Sequence, residues 1–313
     1  MQSSYQAYGL RLRSDFPLPG MTPHPADGLP LLQLDLRTPA ELTNLWSGAP
    51  GEPTWTGTLG DGQPLTIEHG LDGDVLFTYG ERARFRLDAT MTRLHCAPSL
   101  AGPDWQRALI GKVLPTIGVI RGYETLHAGV VDSPEGIVAI AAPSGTGKST
   151  LLVELLRRGW PLFADDALTL DDDDGTVLGH PGTPHMNVDL ELPDNIDPDR
   201  IGRTLHVLSG ERWITAHATV SQTRPVRMIC LLERRAGLAL DSRTLPSNPL
   251  LLAPYMLGLA SDAERERKRF GLYADLMESA VLVRLTAGSE HRPGQIADTL
   301  ERALANERVG EPA

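Results

Sequence analysis

Two periods of apolar residues divide this chain near residue 103. Before that point, Tyr8, Leu10 and Leu12 alternate with Gly9, Arg11 and Arg13, and Leu32, Leu34 and Leu36 repeat the period of two. Such alternation turns one face of a strand towards a core. Leu65-Thr66-Ile67, 75–79, 84–87 and 92–96 are further short strands, separated by the turn signals Asp61-Gly62, Asp72-Gly73 and Tyr79-Gly80. The proline-rich stretch from Pro17 to Pro30 reads as a loop. After residue 103 the period lengthens: Trp105, Leu109, Val113, Ile117 and Ile120 are spaced for a helix, which Pro115 should kink or split. Strand and helix patterns then follow one another. Strands are predicted at 126–131, 137–142, 162–164, 167–170, 175–178, 226–232 and 280–285, and helices at 263–277 and 294–304. The pattern predicts a small antiparallel β-rich domain over 1–102, an α/β domain over 103–307 and a flexible tail over 308–313.

Composition narrows the partners. A net charge of −11 over 313 residues argues against nucleic acid or an anionic membrane, since both reward excess Lys and Arg. Cys96 and Cys230 are too few for a disulfide framework and have no metal-ligand spacing. The opening residues lack an apolar signal region, and the longest uncharged stretch, 244–261, is broken by Pro246, Pro249 and Pro254. A soluble, cytoplasmic protein is the expectation, with self-association as a homo-oligomer left open.

The chemistry concentrates in 137–170. A continuous apolar run, Ile137 to Ala142, reads as a strand buried on both faces. Pro143-Ser144-Gly145-Thr146-Gly147 forms a turn of mostly small residues, and Lys148-Ser149-Thr150 opens a helix striped by Leu151, Leu152, Leu155 and Leu156. This is the phosphate-binding P-loop. Backbone N–H groups from Ser144 to Thr150 hold phosphate oxygens of a nucleotide, Lys148 reaches the β- and γ-phosphates, and Ser149 ligates Mg²⁺. Ala142 replaces the first glycine of the motif, which is tolerable if that residue keeps a negative φ. As a loop lysine, Lys148 is expected to support no core, so its removal should leave the fold intact. The helix ends at Arg157-Arg158-Gly159, cations and then a glycine cap. The strand 162–164 runs into Asp165-Asp166, 17 and 18 residues beyond the lysine. That spacing lets this strand neighbour the P-loop strand in a parallel sheet, with both carboxylates facing the phosphate crevice. One can hold Mg²⁺ and the other can take a proton from an attacking hydroxyl.

The run Leu126-His127-Ala128-Gly129-Val130-Val131, then APSGTGKST, then RRGWPLFADD, resembles the C-terminal domain of HPr kinase and its relatives. The resemblance implies a P-loop kinase domain of the HPr kinase and phosphoenolpyruvate carboxykinase type. It also implies ATP-dependent phosphorylation of a serine hydroxyl on a peptide or small protein. On that resemblance Asp165 takes the acceptor proton, Asp166 and Ser149 hold Mg²⁺, Lys148 holds the phosphates and His127 lies near the transferring group; the two aspartates can exchange roles. The opening Tyr8-Gly9-Leu10, with Leu12, Ser14 and Pro17-Leu18-Pro19, is similar to that of kinases acting on ribosomal precursor peptides, including the C-terminal serine of lasso-type peptides. The glutamate-arginine-glycine signature of HPr kinases proper, linked to phosphorolysis, is missing, which puts HPr itself in question as the acceptor.

Other features read as scaffold. Asp171 to Asp174 do not alternate as calcium ligands do and mark a solvated hairpin tip. His69 and His95 sit in strand patterns as surface or packed residues. The Pro/Gly-rich loop 179–185 reads as a lid, with His185 and Arg203 as minor candidates. Leu208-Ser209-Gly210-Glu211-Arg212 only brushes against a transporter-ATPase signature, and the charged run 264–269 reads as a solvated face, with peptide docking as the sharper alternative. Two other functions compete with a kinase: a nucleotide-gated peptide-binding module and a P-loop ATPase without an acceptor.

Overall fold

The alternating residues of the first hundred positions form one eight-stranded sheet. The structure, a computed structural model, describes residues 3–24, 28–46, 48, 53–59, 62–192, 196–208, 210–259 and 263–309. Asp61, Ser209 and the end of the tail from 310 lie outside the described residues. Two units are present, Met1–Gly122 with Gly258–Ala260, and Tyr123–Leu257 with Ser261–Ala313.

The first unit contains β1 (Ser3–Ala7), β2 (Leu10–Ser14), β3 (Leu31–Leu36), α1 (Pro39–Leu45), β4 (Trp55–Thr58), β5 (Pro64–His69), β6 (Val75–Tyr79), β7 (Ala83–Leu87) and β8 (Arg93–Pro98). The strand order is β1-β2-β3-β8-β7-β6-β5-β4. Tyr8 and Gly9 have φ of 55° and 73°, so they make the turn between β1 and β2 rather than the start of a strand. The sheet is not wholly antiparallel, as alternation had suggested. β3 runs parallel to both β2 and β8, because the long proline-rich connection returns the chain to the end where β2 began. A helical run follows as α2 (Asp104–Ala108), a π-helical turn (Leu109–Val113) and α3 (Leu114–Ile120). Pro115 falls in the first turn of α3, where its missing N–H is tolerated, and the widened turn stands just before it. Trp105 packs against Phe16 and Phe85, with ring centroids 5.3 and 6.4 Å away. This run, expected to open the second domain at 103, therefore groups with the first unit.

The second unit contains β9 (Glu124–Leu126), β10 (Gly129–Ser133), β11 (Gly136–Ala141), α4 (Lys148–Arg157), β12 (Leu162–Ala164), β13 (Leu168–Asp173), β14 (Thr176–His180), β15 (His185–Asp189), β16 (Gly202–Leu208), β17 (Glu211–Ala216), β18 (Arg224–Arg234), β19 (Asp241–Thr244), α5 (Ala263–Ser279), β20 (Val281–Ala287) and α6 (Pro293–Val309). It is mixed α/β. Nine strands form the main sheet, in which β11, β18 and β20 are mutually parallel. β12 is separated from β11 by β10, which pairs antiparallel with each, so β12 is not the direct neighbour expected. The tight turn after Ser133 folds β10 back onto β11 and fills that edge first. One face of the sheet buries Val138, Ile140, Met228 and Val283 beneath α4, α6 and the small sheet β15-β17-β16. The other buries Ile137, Ala139, Ile229 and Leu282 with Tyr273, Leu276 and Met277 of α5. Every side chain of β11 is buried, as a continuous apolar run requires.

The charged run at the start of α5 is only partly a solvated face. Arg265 and Arg269 reach the buried Glu124 carboxylate at 2.7 and 2.9 Å, and Arg269 is itself buried. Asp174 and Gly175, with φ of 52° and 84°, form the expected hairpin tip between β13 and β14.

Candidate active site

The glycine turn joins the buried end of β11 to the first turn of α4. Ala142 is fully buried and keeps a negative φ, so the missing first glycine does not disturb the turn. Gly145 and Gly147, in contrast, have φ of 78° and 101°, values that a side chain would strain. Gly147 is the N-cap of α4, and the N–H of Thr146 bonds to the carbonyl of Pro143 at 3.2 Å. Ser144 and Gly145 are exposed, while Thr146, Gly147, Ser149 and Thr150 are half-buried around the opening. A helix N-terminus with its first N–H groups turned outward is an anion site by construction. α4 can lie close over β10 because Gly129 has no side chain: a Cβ there would stand 3.1 Å from Leu152 and 3.5 Å from Lys148 Cγ.

Lys148 points from the helix start to the paired aspartates. Its Nζ lies 2.8 Å from Asp166 Oδ1 and 3.8 Å from Asp165 Oδ1. Lys148 is 7% exposed, and burial alone would lower its pKa; the two carboxylates outweigh that and raise it. Asp165 is the more enclosed aspartate, with a side chain 5% exposed against 28% for Asp166. Its Oδ2 accepts the backbone N–H of Asn187 at 3.2 Å, which ties it to β15. Asp166 adopts φ 62°, a left-handed conformation that Asp tolerates better than most residues. The sharp bend at the end of β12 is what turns consecutive aspartates into neighbours of one ammonium.

His127 lies in the break between β9 and β10 rather than within one continuous strand. Its N–H donates to the Tyr255 carbonyl at 2.6 Å. Its Nδ1 is 3.0 Å from the Asp166 carbonyl and 3.9 Å from Asp166 Oδ1. A carbonyl only accepts, so that contact requires a proton on Nδ1. The structure thus brings His127, Lys148, Asp165 and Asp166 together around the N-terminus of α4.

Among the described residues, no three His, Cys, Asp or Glu side chains converge as a metal cluster. The Ser149 hydroxyl and two carboxylates are hard oxygen donors. They fit Mg²⁺, which takes one or two carboxylates and completes its shell with phosphate and water.

The minor candidates divide. His185 is buried and stacked on Trp213, with centroids 4.7 Å apart, and Arg203 sits across the small sheet from Thr215. The predicted lid over 179–185 comprises the end of β14 (Gly179 and His180), a connection over 181–184, and His185, which opens β15. Sequence reasoning missed two contributors. Asn187 acts through its backbone, which leaves no residue signal, although Met186 and Val188 alternate with polar neighbours as a strand should. Arg234 closes β18, and a Cβ on Gly147 would stand 3.2 Å from its Nη1. The place of a residue at the carboxyl end of a parallel strand was the available clue.

No family model matches the chain. It is 38% identical to the HPr kinase/phosphorylases of Clostridium botulinum strains Eklund 17B (type B) and Alaska E43 (type E3), in each case over 72 residues, 23% of this chain and 24% of the relative. The chain thus spans about a quarter of the length of these curated relatives. A solved structure, the Hpr(Ser) kinase/phosphatase from Coxiella burnetii, aligns over 59% of this chain and 98% of its own, at 16% identity and a TM-score of 0.34. Over the matched 72-residue stretch the chain is HPr kinase-like, the likeness that its histidine, glycine turn and paired aspartates had suggested.

Proposed function

We propose that this chain is an ATP-dependent serine kinase that phosphorylates a hydroxyl on a small protein or a ribosomal precursor peptide. The observation that carries the reading is the convergence of Asp165 and Asp166 on Lys148 at the mouth of the glycine turn, with His127 held against Asp166. A site that only bound phosphate would have no use for a second, enclosed carboxylate. Partial-length similarity to HPr kinase/phosphorylases supports the reaction class. The similarity of the opening residues to kinases of lasso-type pathways supports a peptide acceptor, the C-terminal serine being the leading candidate.

In this reading the N–H groups of 144–150 and the Lys148 ammonium hold the polyphosphate. Asp165, oriented by the Asn187 N–H, accepts the proton of the attacking serine hydroxyl. His127, held by the carbonyls of Tyr255 and Asp166, faces the transferring group. Asp166 and Ser149 would hold Mg²⁺, which supplies charge neutralisation between the phosphates. The bond between the γ-phosphorus and the bridging oxygen breaks as the serine oxygen bonds to that phosphorus, giving phosphoserine and ADP.

Mass spectrometry of candidate peptides incubated with the chain and Mg·ATP tests the reading. Asp165→Asn should lower the rate by roughly 10²–10⁴ with the Mg²⁺ requirement unchanged. Asp166→Asn should instead raise the Mg²⁺ concentration needed. The reverse pattern would exchange the two roles, and full activity in both variants would remove the site assignment.

A further inference from the structure

We propose that Arg234 is an additional phosphate ligand of this site, reaching it from the end of β18; the inference rests on the nucleotide reading above. β18 pairs parallel with the P-loop strand β11, so its last residue arrives at the edge of the sheet from which the glycine turn departs. The guanidinium is fixed there. Nη2 donates to the carbonyls of Ser289 and His291, at 3.1 and 3.0 Å, in the turn after β20. Nη1 lies 3.2 Å from where a Cβ on Gly147 would stand, so the arginine approaches the turn at the residue that caps α4.

Its charge is not spent on a protein anion. Nε is buried without a hydrogen-bond partner, and among the described residues no carboxylate lies within ion-pair distance of Arg234. The neighbouring Glu233 pairs with Arg235 at 3.3 Å. Arg234 also lines a cavity of about 370 Å³ with Pro143 and Thr146, so an anion in that cavity meets the turn and the guanidinium together. A planar, always-charged donor anchored by neutral carbonyls suits a polyphosphate, because its position is set before the ligand arrives.

A purely structural role, clamping the turn 288–291, makes a different prediction. Both roles lower stability when the side chain is lost, but only a phosphate ligand makes affinity depend on the number of phosphates. Calorimetry on the full chain should compare ATP, ADP and AMP for wild type, Arg234→Gln and Arg234→Lys. In Arg234→Gln, binding of ATP and ADP should weaken by about tenfold and that of AMP by less than about twofold. Arg234→Lys, which keeps the charge and loses the fork, should fall between. If Arg234→Gln does not fold, the lysine variant decides, with a loss of about threefold for ATP expected. Unchanged ATP and ADP affinity in the folded variants, whether the unfolding midpoint or only the acceptor KM moves, would overturn the proposal. Wild type that binds no ATP would remove the nucleotide reading itself. Wild type that binds ATP, with Lys148→Ala weakened and Arg234→Gln unaffected, would remove only the role of Arg234.

Discussion

Lys148 carries an electrostatic load and, on the proposed function, a phosphate-binding one as well. It is buried between two carboxylates rather than exposed on a loop, so the exposure on which the expectation of a fold-neutral removal rested is corrected. Lys148→Ala takes the cation from Asp165 and Asp166 while both stay in place. Breaking a buried ion pair from one side costs roughly 3–5 kcal/mol, and the partial exposure of Asp166 puts this case near about 3. Because the folded state raises the pKa of Lys148 above 10.5, its contribution is complete below that pH and is lost as pH rises through the higher folded value. Urea unfolding of wild type and Lys148→Ala should therefore differ at neutral pH and converge in strong alkali. A constant gap up to that range would mean that the ammonium is not what the carboxylates stabilise. In the same variant, ATP affinity should fall by roughly tenfold or more, and single-turnover transfer further, since contacts to the phosphates strengthen as charge moves during transfer.

The helix behind that lysine is held from its other end. Glu154 is buried on α4, with Arg157 and Arg158 at 2.7 and 2.8 Å, and Arg158 continues to Asp298 and Glu301 of α6 at 2.7 and 2.8 Å. The bond from Arg157, chiefly, and that from Arg158 lower the pKa of Glu154 against the opposing effect of burial. Its contribution is present above pH 4.5 and lost as pH falls through the lower folded value. Glu154→Gln should cost about 1.5–3 kcal/mol at neutral pH, measured by urea unfolding, and progressively less in acid. A cost that stays level into acid would point to packing instead of charge. α4 itself was legible from its leucine stripe and the glycine after Arg158, whereas Glu154 was not, since a lone glutamate among leucines looks like a solvent-facing position. The β16–β17 hairpin was missed for a different reason. A bulge between Thr204 and His206 shifts the register, so polar and apolar residues fall out of phase along β16.

At the scale of the molecule, the apolar run of β11 was enough to place the buried strand that leads into the glycine turn, because a strand buried on both faces admits few other residues. The sequence did not reveal that β10 would lie between β11 and β12, nor that Arg234 would come from β18, because strand order depends on pairings far apart in the chain. The same holds for the boundary: helical spacing after 103 marked a change of element, but Trp105 packs with Phe16 and Phe85 of the first unit. Limited proteolysis should release a fragment beginning near Tyr123 that still binds ATP; a fragment that starts there and binds none would place part of the site in residues before it.

The central claim is transfer of phosphate to a peptide hydroxyl, and one labelling measurement reaches it most directly. The full chain is incubated with Mg²⁺, ATP carrying heavy oxygen in its γ-phosphate, and serine-containing peptides, including one that ends in serine. The account predicts the label as phosphoserine on a peptide, formed in step with ADP. Label found only in inorganic phosphate at the same ADP yield would contradict it and make the chain an ATPase without an acceptor.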